Sequence, residues 1–165
     1  MTNGVAKMKE QLFEELELGM RTSWKLMGRI RPEEWAYRPA DNMRSLRELV
    51  HHLAAIPEVD VMIAKEATEG DVKAKEREYE RLDCDAAALT ERMREGFEGL
   101  KRHYAAMTDE TFLNLATTPF YVNHPTLQSR WLLETTTHLF HHRAQLFQYV
   151  KALGHDVNMM DLYIP

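Results

Sequence analysis

The chain has 165 residues, 44% hydrophobic and 28% charged, with one cysteine, eight histidines and a formal net charge of -5. The acidic balance, with a pI of about 5.9, argues against nucleic acid or an anionic membrane surface as partner, since both recruit basic patches. No run of roughly 18 apolar residues is present to cross a bilayer, and the lone Cys84 excludes an intrachain disulfide. The length fits one domain, residues 1–165, with a core of its own. The N-terminus lacks a charged, apolar, small-residue signal pattern, and the cysteine usage fits a reducing cytoplasm. Cys84 lies between Asp83 and Asp85, whose charges disfavour a thiolate nucleophile.

A first helix is predicted from about Val5 to Ile30. Met8, Leu12, Phe13, Leu16, Met20, Trp24 and Met27 recur at spacings of three and four, a stripe that reads as core. Pro32 suits the first turn of a short helical segment that Pro39 ends, and Trp35 and Tyr37 are placed to seal one end of a bundle. Ser45 then reads as an N-cap with Glu48 completing a capping box. The second helix is expected to run to about Ala67, with Gly70 closing it. His52 shares a face with Leu49, Ile56 and Val59, whereas His51 lies about 100° away, so the stripe selects His52 as the inward histidine. Glu58, Asp60 and Glu66 read as solvated charge, and Asp71 to Leu82 as an exposed connection with at most a helical turn.

Asp85 is the expected N-cap of a third long helix, from about Ala86 to Met107, buried through Leu89, Met93, Phe97, Leu100 and Tyr104. His103 lies off that stripe and reads as surface. A short segment starts at Thr108, and Phe112 to Asn123, interrupted by Pro119, reads as a crossover. Pro125 suits the first turn of the fourth long helix, with Asn123 or His124 as cap. Leu132, Leu139, Leu146, Val150 and Leu153 form its apolar face, and Gly154 stands where a C-cap is expected. The tail with Asp161, Leu162 and Tyr163 is expected to fold back over the bundle.

Four amphipathic segments without an alternating strand pattern give an all-α four-helix bundle. In the fourth helix His138 and His142 are one turn apart, about 40° round the axis, so two imidazoles can point at one ion. His52 on a neighbouring helix completes a set of three. Three neutral imidazoles suit Zn²⁺ or Ni²⁺ and leave positions open for water or substrate, the pattern of a catalytic rather than a structural site. A di-iron bundle needs two Glu-x-x-His pairs; Glu48-Leu-Val-His51 supplies one, and Glu134 to His138 has the wrong spacing.

The run Ser45-Leu-Arg-Glu-Leu-Val-His-His52-Leu-Ala, preceded by Pro32-Glu-Glu-Trp and Arg38-Pro39, resembles the middle of the DinB-like (YfiT-like) metal-binding bundles, a family distinct from the DNA polymerase sharing the name. His138-Leu-Phe-His-His142-Arg-Ala-Gln145 is similar to that family's His-x-x-x-His-Arg-Gly-Gln motif, with Ala144 in place of the usual Gly, and Gly154 with Asp161-Leu162 resembles its closing segment. The likeness runs from roughly Leu26 to Tyr163. It implies an up-down-down-up bundle, one divalent metal on His52, His138 and His142, and a homodimer. Family members include thiol-dependent transferases and isomerases and metal-dependent hydrolases.

Three functions follow as expectations. The first is transfer of a low-molecular-weight thiol to a small electrophile, since a metal lowers a thiol's pKa. The second is hydrolysis by metal-activated water, with Glu134 or His141 as base. The third is a non-catalytic metal-binding protein. No catalytic residue beyond the metal set is assigned. Gln145 and Glu48, each one turn from a ligand histidine, are candidates to hold the imidazoles in place. Trp131, Leu133, Phe140 and Phe147 lie outside both the core and site faces of the fourth helix, an apolar surface that suggests a two-fold partner.

Overall fold

The computed structural model describes residues 4–165. Its helices are α1 (Gly4–Met27), α2 (Leu46–Ala64), α3 (Glu69–Glu80), α4 (Ala86–Ala105), α5 (Asp109–Asn114) and α6 (Gln128–Ala152). The four long ones form the bundle. Their directions follow from which residues meet. α1 runs with α6, since Gly19 faces Leu139 and Phe140 while Thr22 accepts from Arg143. α6 runs against α2, because Tyr149 reaches the Arg44 carbonyl at one end and Gln128 the Ala64 carbonyl at the other. α1 opposes α4, through Lys9 with the Met107 carbonyl, Phe13 with Tyr104 and Glu17 with Lys101. Glu58 with Arg92 and Lys65 near His103 set α2 parallel to α4. The bundle is therefore up-down-down-up.

The apolar stripes meet at its axis. Leu16, Met20, Leu49, Leu53, Leu89, Met93, Leu100, Leu139, Leu146 and Val150 are all fully buried. The helix ends carry their own chemistry. Ser45 Oγ accepts from the Glu48 N–H while Glu48 accepts from the Ser45 N–H at 2.7 Å, so both orphan donors are satisfied. Asp85 accepts from the Ala87 and Ala88 N–H groups. Gly154 takes φ +83°, and the His155 N–H returns to the Val150 carbonyl, closing α6 in a Schellman turn. The tail folds back on α1, with Asp161 3.3 Å from Lys25 and the Leu162 carbonyl accepting from Arg143.

Several expectations from sequence are corrected. Residues 69–80 are a full helix rather than a connection. Thr68 caps it, and Val72 and Tyr79, seven residues apart, are its two buried side chains. Gly70 lies inside that helix, and α2 ends at Ala64. Met8 is 56% exposed, so the α1 stripe enters the core only further along. The crossover forms two short antiparallel strands, β1 (Ala116–Thr117) and β2 (Thr126–Leu127). Because residues 126 and 127 belong to β2, α6 starts at Gln128 and Pro125 stands outside it.

The apolar surface assigned to a partner is largely covered by the chain itself. Trp131 and Phe147 are buried. Phe140 lies over Gly19, where any side chain would collide with the ring, and its face carries the Arg143 guanidinium at 4.1 Å. Leu133 alone remains half exposed. Among the described residues no helix is long and apolar enough to cross a membrane.

Candidate functional site

The antiparallel pairing of α2 and α6 brings His52 to His138 and His142. His52 Nε2 lies 3.0 Å from His142 Nε2 and 3.3 Å from His138 Nε2, and all three ligand atoms lie within 4.8 Å of one another. His138 donates through Nδ1 to Asp60 Oδ2 at 3.1 Å, and His142 through Nδ1 to Gln145 Oε1 at 2.7 Å. With the proton on Nδ1, the Nε2 of each is a bare lone pair turned to the common centre. One proton on His52 Nε2 can serve one of them, whereas a divalent cation serves all three. Two imidazoles at about 2.05 Å from a tetrahedral ion have nitrogens roughly 3.3 Å apart. The donor set therefore fits a metal of that kind in chemistry and, for the two pairs that His52 makes, in spacing.

Electrostatics keep His52 and His142 neutral. Burial, then the charges of His142 and Arg44, pushes His52 down to about 3. Burial pushes His142 down to about 4, against the opposing effect of its hydrogen bond to Gln145. Both are thus unprotonated at neutral pH, the state that ligates. His142 is buried and the other two are partly open.

His51 does not join them. Its ring is buried, with Nδ1 2.7 Å from the Arg47 carbonyl and Nε2 2.9 Å from the Leu82 carbonyl. It fastens α2 to the turn after α3, which also removes Glu48-x-x-His51 as a ligand pair. Glu48 supports the N-terminus of α2 and Arg38 rather than His52. Gln145 does support the site, bridging His142 and His141, to which its Nε2 donates at 3.2 Å. His141 is exposed and Glu134 is held by Arg130 at 2.8 Å, so neither general-base candidate is directed to the triad. His103 is half-buried rather than on the surface, and burial lowers its pKa.

Asp60 is the residue that sequence reading misplaced. It is 9% exposed and accepts from His138. Eight residues after His52, it stands about 80° round the same helix, within the inward half. That spacing was the available signal. Glu58 is likewise not free: it accepts from Tyr79 and Arg92, each at 2.9 Å, and pairs with Lys75 at 3.2 Å.

Beside His52 a cavity of about 820 Å³ opens between α2 and α3. His52 lies on its wall with Arg44, Arg47, Glu48 and Ala55 from the α2 side and Tyr79 from α3. Of the triad, His52 is the member that borders this cavity.

Comparison with known proteins gives one family match, to the DinB family over residues 1–164. A solved structure of a candidate DinB-family member from Exiguobacterium sibiricum is 28% identical, with a TM-score of 0.75, covering 99% of this chain and all of its own. A DinB-like protein from Bacillus cereus is 16% identical at a TM-score of 0.70, covering 88% of this chain and 92% of that one. A mycothiol-dependent maleylpyruvate isomerase shares the fold at 10% identity and a TM-score of 0.55, covering 93% of this chain and 63% of its own. No curated protein matches.

Proposed function

The chain belongs to the DinB family, and from that premise we propose that it binds one divalent metal ion, Zn²⁺ or Ni²⁺, through His52, His138 and His142 and transfers a low-molecular-weight thiol to a small electrophile. The observation that carries the reading is the convergence of three Nε2 atoms, 3.0 and 3.3 Å from His52 to its two partners, with the Nδ1 protons of those partners already committed. When bound, the ion supplies a Lewis-acid centre that holds a thiol as thiolate at neutral pH. The chain's own residues do the rest. The imidazoles donate lone pairs, and Asp60 and Gln145 fix two rings in orientation and tautomer. The set has three protein ligands, which leaves a coordination position for substrate.

Thiol transfer is favoured over hydrolysis because the carboxylate that contacts the triad and the one considered as base are both engaged. Asp60 is committed to His138 and Glu134 to Arg130. A solved thiol-dependent isomerase on this fold supports the choice as an analogy of architecture. The test joins metal analysis of purified protein to conjugation of a chloro-aromatic acceptor with a panel of small thiols. One equivalent of metal and metal-dependent conjugation with at least one thiol is the expected result. Ester cleavage without thiol would replace the reading by hydrolysis, and bound metal with neither activity would leave a binding protein.

A further inference from the structure

Arg44 stands directly before the N-cap of α2, its carbonyl held by the Tyr149 hydroxyl of α6 at 2.9 Å. It lines the same cavity as His52, and its charge acts on both His52 and His142. Its two arginine neighbours on that wall are occupied. Arg38 pairs with Glu48 and the Met43 carbonyl, and Arg47 donates to the Glu80 carbonyl. The guanidinium of Arg44 has no ion pair among the described residues, although Asp41, Glu76 and Glu80 also border the cavity. Glu76 and Glu80 belong to the opposite, α3 wall.

An unpaired cation on the cavity that His52 borders opposes binding of a divalent cation there, since like charges repel, although the exposure of Arg44 screens the effect. Asp60 brings one negative charge to the triad, and Arg44 adds a third positive charge to the ion's two. Counting the ion, Asp60 and Arg44 alone, two positive charges are in excess; Asp41, Glu76 and Glu80 border the wider cavity. A thiolate whose molecule also carries a carboxylate cancels both, and the planar guanidinium takes a carboxylate with two parallel hydrogen bonds.

Resting on the metal-and-thiol reading above, we propose that Arg44 binds a carboxylate of the substrate in the cavity beside His52, so that the protein selects carboxylate-bearing substrates. The carboxylate belongs either to the thiol or to the electrophile. The test uses full-length protein loaded with Co²⁺, read by the thiolate-to-cobalt charge-transfer band. 3-Mercaptopropionate is expected to bind about tenfold or more tightly than its neutral amide, the effect of one charge-assisted pair. Arg44→Gln erases that preference and Arg44→Lys restores part of it, while circular dichroism verifies the fold of each variant. In a second arm, 4-chloro-3-nitrobenzoate and its amide are compared as acceptors with the neutral thiol. Preference for the acid in this arm alone, lost in Arg44→Gln, moves the carboxylate to the electrophile. Preference in neither arm overturns the role of Arg44. Absence of the charge-transfer band with every thiol overturns the thiol reading instead. Acetate then decides Arg44 separately, by perturbing the cobalt d–d bands of the wild type and not of Arg44→Gln, with no perturbation of either overturning it.

Discussion

α2 carries a polar cluster on each side, and the two are built on opposite principles. Towards α3 and α4, Glu58 meets a tyrosine hydroxyl, a guanidinium and an ammonium group, so its acceptor oxygens are matched by donors. Towards α6, the bare Nε2 lone pairs of His138 and His142 face a third imidazole, and the protons at hand do not match them. The first cluster is complete in the folded chain and joins helices. The second is left with acceptors that a bound cation would satisfy. Imbalance of donors and acceptors, rather than burial or the mere presence of charge, separates the site from the scaffold.

The largest effect that can break this comparison comes from removing a lone pair. His52→Ala is expected to abolish stoichiometric metal retention after gel filtration, read by elemental analysis. His51→Ala, its sequence neighbour, is expected to retain the metal and lose stability by about 1–3 kcal/mol, since it removes a buried ring that contacts the Arg47 and Leu82 carbonyls. Equal metal content in both variants would refute the assignment of the site.

A smaller effect is expected one step out. Asp60→Ala and Gln145→Ala each leave the ligands in place and remove the acceptor that fixes a ring, which typically weakens metal affinity by about 10–100-fold. Competition against a chromogenic chelator measures it. If either variant binds as tightly as the wild type, that residue does not orient its histidine.

The smallest effect belongs to the complete cluster. Tyr79→Phe removes one donor from Glu58 and leaves Arg92 and Lys75, so denaturant unfolding should show a loss of about 1–2 kcal/mol. Metal affinity should not change. A change in metal affinity would mean that the two sides of α2 are coupled and that the contrast between them is false.

Much of this architecture was readable from local pattern. Leu16, Met20, Leu49, Leu89, Met93, Phe97, Leu139 and Leu146 recur at helical spacing and are buried. The Ser45–Glu48 box and the Asp85 cap form as their spacing implies, because a cap is a contact between residues three positions apart and needs nothing from the rest of the chain. The same holds for His138 and His142, which one turn of helix places together; His51, read as the less inward neighbour of His52, is instead the more buried of the two.

The remainder depended on distant partners. α3 carries only two apolar residues at its buried positions, and its charge-rich composition resembles a solvated loop until α2 is laid against it. The start of α6 moved because Thr126 and Leu127 pair with Ala116 and Thr117. Phe140 and Phe147 looked outward on a lone helix, yet α1 approaches at Gly19 closely enough to cover the first of them. Asp60 read as solvent-facing charge until His138, 78 residues further along, supplied its donor. Periodicity and caps are short-range and are written in the sequence itself. Which polar groups find partners, and which lone pairs are left facing one another, is settled only when separate helices meet, because the free energy of a buried charge or lone pair lies in the group across from it.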